Sequence, residues 1–187
     1  MFVKILIGIA VLVVLLVAFI AMRPSEFRVA RSTKIDAPPE AVFAHVNDFH
    51  KWDVWSPWVK IDPNAKTTFE GPSEGPGAIF RWAGNKEVGE GSMTITESRP
   101  YEFIGIRLEF IKPFAGTNDV AFTFQPQGEQ TAVTWSMQGK NNFMAKAVGL
   151  FIDCEKMIGD KYEEGLANLK ATAEQADQSP QDVQVQG

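Results

Sequence analysis

Between Lys4 and Arg23 the chain carries eighteen residues, Ile5 to Met22 (ILIGIAVLVVLLVAFIAM), without a charge or a proline. No other feature limits the fold as strongly. Apolar side chains run around the whole circumference of such a helix, unlike the single stripe of a surface helix. At 1.5 Å per residue it is about 27 Å long, close to the hydrocarbon thickness of a bilayer. Lys4 and Arg23 flank it where they can reach head groups, and Pro24 ends it. A cleaved signal peptide wants small residues just before the cut. Cleavage after Ala21 or Ala18 puts Phe19 or Leu16 at the third position before it. An uncleaved single-pass anchor over residues 1–25 is therefore favoured. Counting positive residues alone, Arg23, Arg28, Arg31 and Lys34 against Lys4, puts the domain in the cytoplasm. The tail before the anchor is very short, and the membrane side stays open.

Residues 26–175 remain for a folded domain, long enough to bury about two-thirds of its unfolded surface without staples. Glu26 to Ile35 alternates as a half-buried strand. Asp36 or its neighbour can cap a helix whose first turn takes Pro38-Pro39, with Ala41 to Val46 as its body. Phe49 to Trp55 reads as a second short helix. Strands divided by turn residues follow: 66–70, 78–83, 88–97, 102–110, a segment carrying Val120, Phe122 and Phe124, and 131–139. From near Phe143, Met144, Val148, Phe151, Ile158, Tyr162, Leu166 and Leu169 recur on one face of a helix about thirty residues long. The order is strand, two short helices, six strands, long helix. It predicts an α+β fold with a curved, largely antiparallel sheet wrapped around the C-terminal helix. Residues 176–187 are Gln-rich, lack apolar periodicity and are expected to be disordered.

Fourteen Phe and five Trp stand against two Tyr, which is interior material more than hydrogen-bonding surface. The net charge of −5, without a Lys/Arg run longer than a pair, argues against nucleic acid as a partner. Cys154 is the only cysteine, so neither an internal disulfide nor a Cys-based zinc site is available. His45 and His50 lack metal-ligand spacing. No cofactor, metal site or catalytic constellation is read from the sequence; His45 is the obvious titratable group, without a base–orienter pair.

The stretches Ile35 to Phe43, Trp52 to Trp58, Gly75 to Gly91, Thr131 to Trp135 and Gly159 to Lys170 together resemble the polyketide cyclase/dehydrase and lipid-transport branch of the START-like (SRPBCC) superfamily. Ile35-Asp36-Ala37-Pro38-Pro39-Glu40-Ala41-Val42-Phe43 is similar to its strand-to-helix entry. Trp52-Asp53-Val54-Trp55-Ser56-Pro57-Trp58 resembles its Trp-rich segment. Gly75 to Ala78 before Trp82, with Val88 to Gly91, resembles its central hairpin, and Thr131 to Trp135 its last strand. Gly159, Glu164-Gly165-Leu166 and Leu169-Lys170 resemble its terminal helix. The likeness runs from about Arg28 to Ala171 and implies a helix-grip fold with an apolar ligand pocket between sheet and helix. An anchor ahead of such a domain is familiar among bacterial members. The superfamily spans lipid carriers, cyclases, hydrolases and chaperone activators, so the fold does not choose the function.

Candidate pocket residues are Phe80, Trp82, Met93, Ile95, Ile106, Leu108, Phe122, Phe124, Trp135 and Met137 from the strands, and Met144, Val148 and Phe151 from the helix. Gly89 and Gly91, with flexible methionines, favour open volume among them. Trp55 and Trp58 either roof the mouth or wedge the short helices onto the sheet. Which face of 78–83 points inward is undecided, and the loop Pro113 to Gly116 either gates entry or merely turns. Three readings remain. One is a membrane-tethered binder of a lipid-like or other hydrophobic small molecule, the second an interaction module with a filled core, and the third a cyclase- or hydrolase-type enzyme.

Overall fold

The computed structural model describes residues 2–178. The apolar run forms one helix, α1 (Phe2–Met22), long and apolar enough to cross a membrane. Strand β1 (Glu26–Ile35) follows, then α2 (Pro39–Val46), a 3-10 turn (Phe49–Lys51) and α3 (Trp52–Trp55). Six strands come next: β2 (Lys66–Glu70), β3 (Ile79–Ala83), β4 (Glu90–Arg99), β5 (Phe103–Lys112), β6 (Gly116–Gln127) and β7 (Gln130–Lys140). All seven strands make one antiparallel sheet in the order β1-β7-β6-β5-β4-β3-β2. Consecutive strands pair through short turns, and β1 closes the far edge against β7. The sheet, the long C-terminal helix and the helices between β1 and β2 realise the expected helix-grip architecture.

Alternation sorts the side chains. Val29 and Ile35, Ile104 and Ile106, Val120, Phe122 and Phe124, and Val133, Trp135 and Met137 are all buried on the concave face. Register shifts occur in β4 near Glu90 and between Ile95 and Glu97, where a bulge bends the strand. Arg81 points to the convex side and pairs with Glu70 at 2.9 Å. That settles the face of β3: Phe80 and Trp82 are inward.

The helical cover differs from the sequence reading in three places. The expected single helix from Phe143 is two helices, α4 (Phe143–Val148) and α5 (Cys154–Gln178). Asn142 caps α4 by accepting from Ala145 N at 2.8 Å, Gly149 ends it, and Asp153 accepts from Lys156 N at 2.9 Å at the start of α5. A short polar side chain that satisfies free N–H groups starts a new helix here, overriding the continuous apolar period. Asp36 caps nothing: Pro38 holds the cap position of α2 without a side-chain bond. Asp36 instead accepts from Gln130 and Lys170, tying β1 to β7 and α5. Finally, α5 continues to Gln178, beyond the expected boundary at 175, and residues 179–187 of the expected tail lie outside the described residues.

α5 crosses the sheet over β1 and β7. Gly165 lets it approach closely, since a Cβ there would stand 2.7 Å from the Trp135 ring and 3.0 Å from Pro57. Arg31 reaches across from β1 to Glu163 at 2.7 Å, its guanidinium lying over Gly159. α2 and α3 cover the end of the sheet near Ile35 and Phe124.

Candidate functional site

The space between α5 and the sheet is filled at its centre by rings. Trp135 stacks on Tyr162 of α5 at 3.9 Å between centroids and on Phe122 at 4.9 Å. Trp52 and Trp55 meet the same rings edge-on at 5.6 to 6.2 Å. Both indoles are anchored to α2, Trp52 donating to Val46 O at 3.0 Å and Trp55 to His45 O at 3.1 Å. These contacts make Trp52 and Trp55 wedges between the short helices and the sheet. Burial pushes the Tyr162 phenol well above its ordinary value, with the Trp135 N–H pulling weakly the other way. In that stacked geometry the Trp135 N–H makes no proper hydrogen bond and is left buried without a partner.

The candidate residues fall into three groups. Trp55, Ile95, Ile106, Phe122, Phe124, Trp135 and Met137 are buried within the core. Trp58, Met144, Val148 and Phe151 are exposed; the last three had been expected to face the sheet from the long helix. The break at Gly149 to Asp153 separates them from α5 and turns their face away from the core. Phe80, Trp82, Met93 and Leu108 form the third group, all half-buried; Phe80, Met93 and Leu108 pack against the core, and Trp82 packs on Phe80 and Phe110.

That third group is contiguous. Pairing across the sheet sets Phe27, Gly139, Asn118, Leu108, Met93, Phe80 and Phe69 in one row on the concave face. The next row outward carries Gly116, Phe110, Gly91 and Trp82. Trp82 meets Phe110 edge-on at 5.9 Å and Phe80 nearly face to face at 6.0 Å, and donates to Val88 O at 3.0 Å. Both rows lie toward the end of the sheet where β1 begins and β7 finishes, and on the β2–β3 side Phe49 and His50 of the 3-10 turn pack on Phe80 and Phe69. The result is a shallow, half-buried strip of apolar and aromatic side chains, a trough along the margin of the core.

Gly91 and Gly89 do not hold this trough open. A Cβ at Gly91 would meet the Trp82 ring at 2.5 Å, so that glycine seats the indole. Gly89 has φ +66° in a tight turn against Lys112 O. α5 lies over β1 and against Trp135 of β7, to one side of these residues. Sequence reasoning missed Asn118, the polar member of the row. It makes no side-chain hydrogen bond to the described residues and lies over Gly139. One isolated asparagine carries no signal until the register is known. Phe110 was legible as an inward residue of its strand, though not as part of the trough.

The titratable groups sit elsewhere. His45, on α2, has its pKa lowered by burial and by the Lys51 ammonium, and its ring has no hydrogen-bond partner among the described residues. His50 stacks on Phe69 at 4.0 Å and hydrogen-bonds Asp48 at 2.8 Å. Among the described residues no group of three His, Cys, Asp or Glu side chains comes together. Phe114, at the tip of the β5–β6 loop, is 65% exposed at the same end as the trough.

The sequence model of the family Polyketide cyclase / dehydrase and lipid transport matches residues 26–174. Among solved structures, a Thermobifida fusca protein is similar at 20% identity with a TM-score of 0.60, covering 78% of this chain and 92% of that one. The Aha1 dimer from Colwellia psychrerythraea is similar at 16% identity and a TM-score of 0.58, covering 79% and 96%. A Chromobacterium violaceum protein follows at 17% and 0.55, covering 81% and 99%. At these identities the likeness concerns the fold. No curated protein matches the sequence.

Proposed function

This chain belongs to the polyketide cyclase/dehydrase and lipid transport family, and on that footing we propose that it binds a hydrophobic small molecule while tethered to a membrane by α1. The observation that carries this is the trough. A closed domain of this size buries its concave face, whereas here Phe80, Trp82, Met93, Leu108 and Phe110 are only half-buried beside a filled core. An apolar, largely preformed concavity with one convergent polar group is the usual form of a small-molecule site. Asn118 supplies that group, a donor and an acceptor for a single polar substituent. Of the candidate residues, Phe80, Trp82, Met93 and Leu108 are assigned to the ligand, and the buried group to the fold.

The tether is supported by how α1 joins the domain. Ile20 is buried, Lys146 donates to Ala21 O at 3.2 Å and Arg23 donates to Gly149 O at 3.1 Å. Asn141 N also donates to Ser25 O at 2.7 Å. Cutting after Ala21 would remove Ile20 and Ala21 from these contacts, which favours a retained anchor. A retained anchor holds the trough within a few residues of the bilayer and raises its effective concentration toward membrane-dissolved molecules.

Native mass spectrometry of the full chain released from membrane particles, with solvent extraction of what remains bound, tests the reading. The expected result is one apolar molecule per chain, lost on substitution of Leu108 by Glu. An apo mass, without uptake from a total lipid extract, would favour the interaction-module reading.

A further inference from the structure

The stripe at 144, 148 and 151 faces out of the domain, and it needs a cover. Phe143, Met144, Val148, Phe151, Ile152 and Met157 are 37 to 89% exposed, with Phe151 at the upper limit. An apolar surface continuous over one short helix and the link after it is not left to water in a stable soluble domain. Its position identifies the cover. α4 packs beside the last turn of α1, against the buried Ile20, and is hydrogen-bonded to Ala21 and Arg23. Ile20 to Arg23 spans about 5 Å along a helix axis, so α4 lies level with the end of the membrane-spanning segment. Arg23 and Lys146 stand at that level, where the phosphates of a leaflet lie and where basic side chains are favoured.

We propose that α4 and the link to α5 lie in the bilayer interface, with Met144, Val148, Phe151 and Ile152 in its acyl region. This is a second lipid contact beside α1, and the occupant is the membrane itself. The trough lies toward the same end of the sheet, where β1 starts and β7 ends. The head-group layer therefore forms its outer boundary, and a hydrophobic molecule enters from the leaflet without crossing water. An interfacial helix needs an apolar face with basic residues at its margin; α4 supplies the face and Lys146, and Arg23, bonded to Gly149 O at its end, supplies the second cation. The inference rests on the anchor reading above.

The test measures depth in the full chain, reconstituted in phosphatidylcholine/phosphatidylglycerol liposomes. Cys154 is the only cysteine and is exposed, so Cys154→Ser provides a clean background. Nitroxides are placed singly through Met144→Cys and Phe151→Cys, with Leu12→Cys in α1 and Thr68→Cys on the convex side of edge strand β2 as references. The expected ratio of oxygen to water-soluble nickel accessibility at 144 and 151 is about threefold or more above that at 68, as for side chains buried below the head groups. Values at 144 and 151 equal to 68, with 12 lipid-like, would overturn the interfacial proposal and leave the anchor standing. An aqueous value at 12 would overturn both. Shielding of 144 and 151 from both reagents would mean a protein cover, a second copy or the sheet, and would also overturn it.

Discussion

Ile106 and Leu108 are two residues apart on the same face of β5, yet they are expected to answer a buried charge in opposite ways. Ile106 is 2% exposed in the core, whereas Leu108 is half-buried at the edge of the trough. A carboxylate at 106 has neither water nor a cation within the core and costs several kcal/mol unless protonated, a large part of a domain's total stability. A carboxylate at 108 keeps much of its hydration at this half-buried position. Its cost is mainly the lost apolar contact, about 1 kcal/mol for half of a leucine's full burial. That corresponds to roughly 2–4 °C in melting temperature for a domain of this size. Leu108→Glu is therefore expected to fold and to lose the bound apolar molecule, while Ile106→Glu fails to fold. Both outcomes are read on the full chain in lipid nanodiscs, from tryptophan fluorescence during a thermal ramp and from extracted ligand per chain. If Leu108→Glu collapses like Ile106→Glu, the trough is part of a closed core. If it folds and keeps its ligand at wild-type stoichiometry, the site lies elsewhere.

Two glycines of α5 separate close packing from mere proximity. At Gly165 an added Cβ meets the locked Trp135 ring at 2.7 Å, so Gly165→Ala is expected to lose about 1–2 kcal/mol despite its gain in helix propensity. At Gly159 the neighbour is the Arg31 guanidinium, which swings away at the cost of a half-exposed ion pair, so Gly159→Ala is expected within about 0.5 kcal/mol of wild type. Melting of the two variants side by side checks the pair. His45 gives a pH signature: burial, then Lys51, lowers its pKa from 6.5, so the unfolded chain takes up the proton first. Its contribution is complete above about pH 6.5 and is lost as pH falls from there through the lowered folded value, so His45→Gln should flatten the decline in melting temperature between pH 7.5 and 5.5. An unchanged slope would place the titration in other groups.

Much of the architecture was legible because strands and turns carry local chemistry. The alternation in β1, β5 and β7 named their inward residues, and the resemblance at Ile35 to Phe43 and Trp52 to Trp58 gave the family. The division of the concave face was not legible. Ile95, Ile106 and Phe122 look in sequence like Met93, Leu108 and Phe110, since each is an apolar inward residue. The helical cover, α5 together with α2 and the Trp52 and Trp55 rings of α3, decides which of them water reaches. The path of α5 is set by the close approaches of Gly165 to Trp135 and Pro57 and by the Arg31–Glu163 and Lys170–Asp36 contacts, the two ion pairs each joining residues more than 100 apart in sequence. Arg81 shows the same limit on one strand: its exposed pairing with Glu70 fixes the face of β3, and alternation in so short a strand could not.

The period at 144, 148 and 151 shows how a neighbouring helix long and apolar enough to cross a membrane changes the way periodicity is read. A 3.6-residue repeat establishes that one helix face is apolar; that the face points inward is an additional premise, true where water is the only solvent. With α1 in a bilayer, as proposed above, the chain has a second solvent available, and an apolar stripe is equally at home in either. Proximity to the span then decides, and proximity follows from strand pairing: Glu26 is opposite Lys140 in the β1–β7 ladder. Since Glu26 comes four residues after α1 ends, whatever follows Lys140 must emerge beside the anchor. The residues that follow are Asn141, Asn142 and then α4. Once the β1–β7 register is known, the place of the stripe beside the end of α1 is a consequence of one pairing.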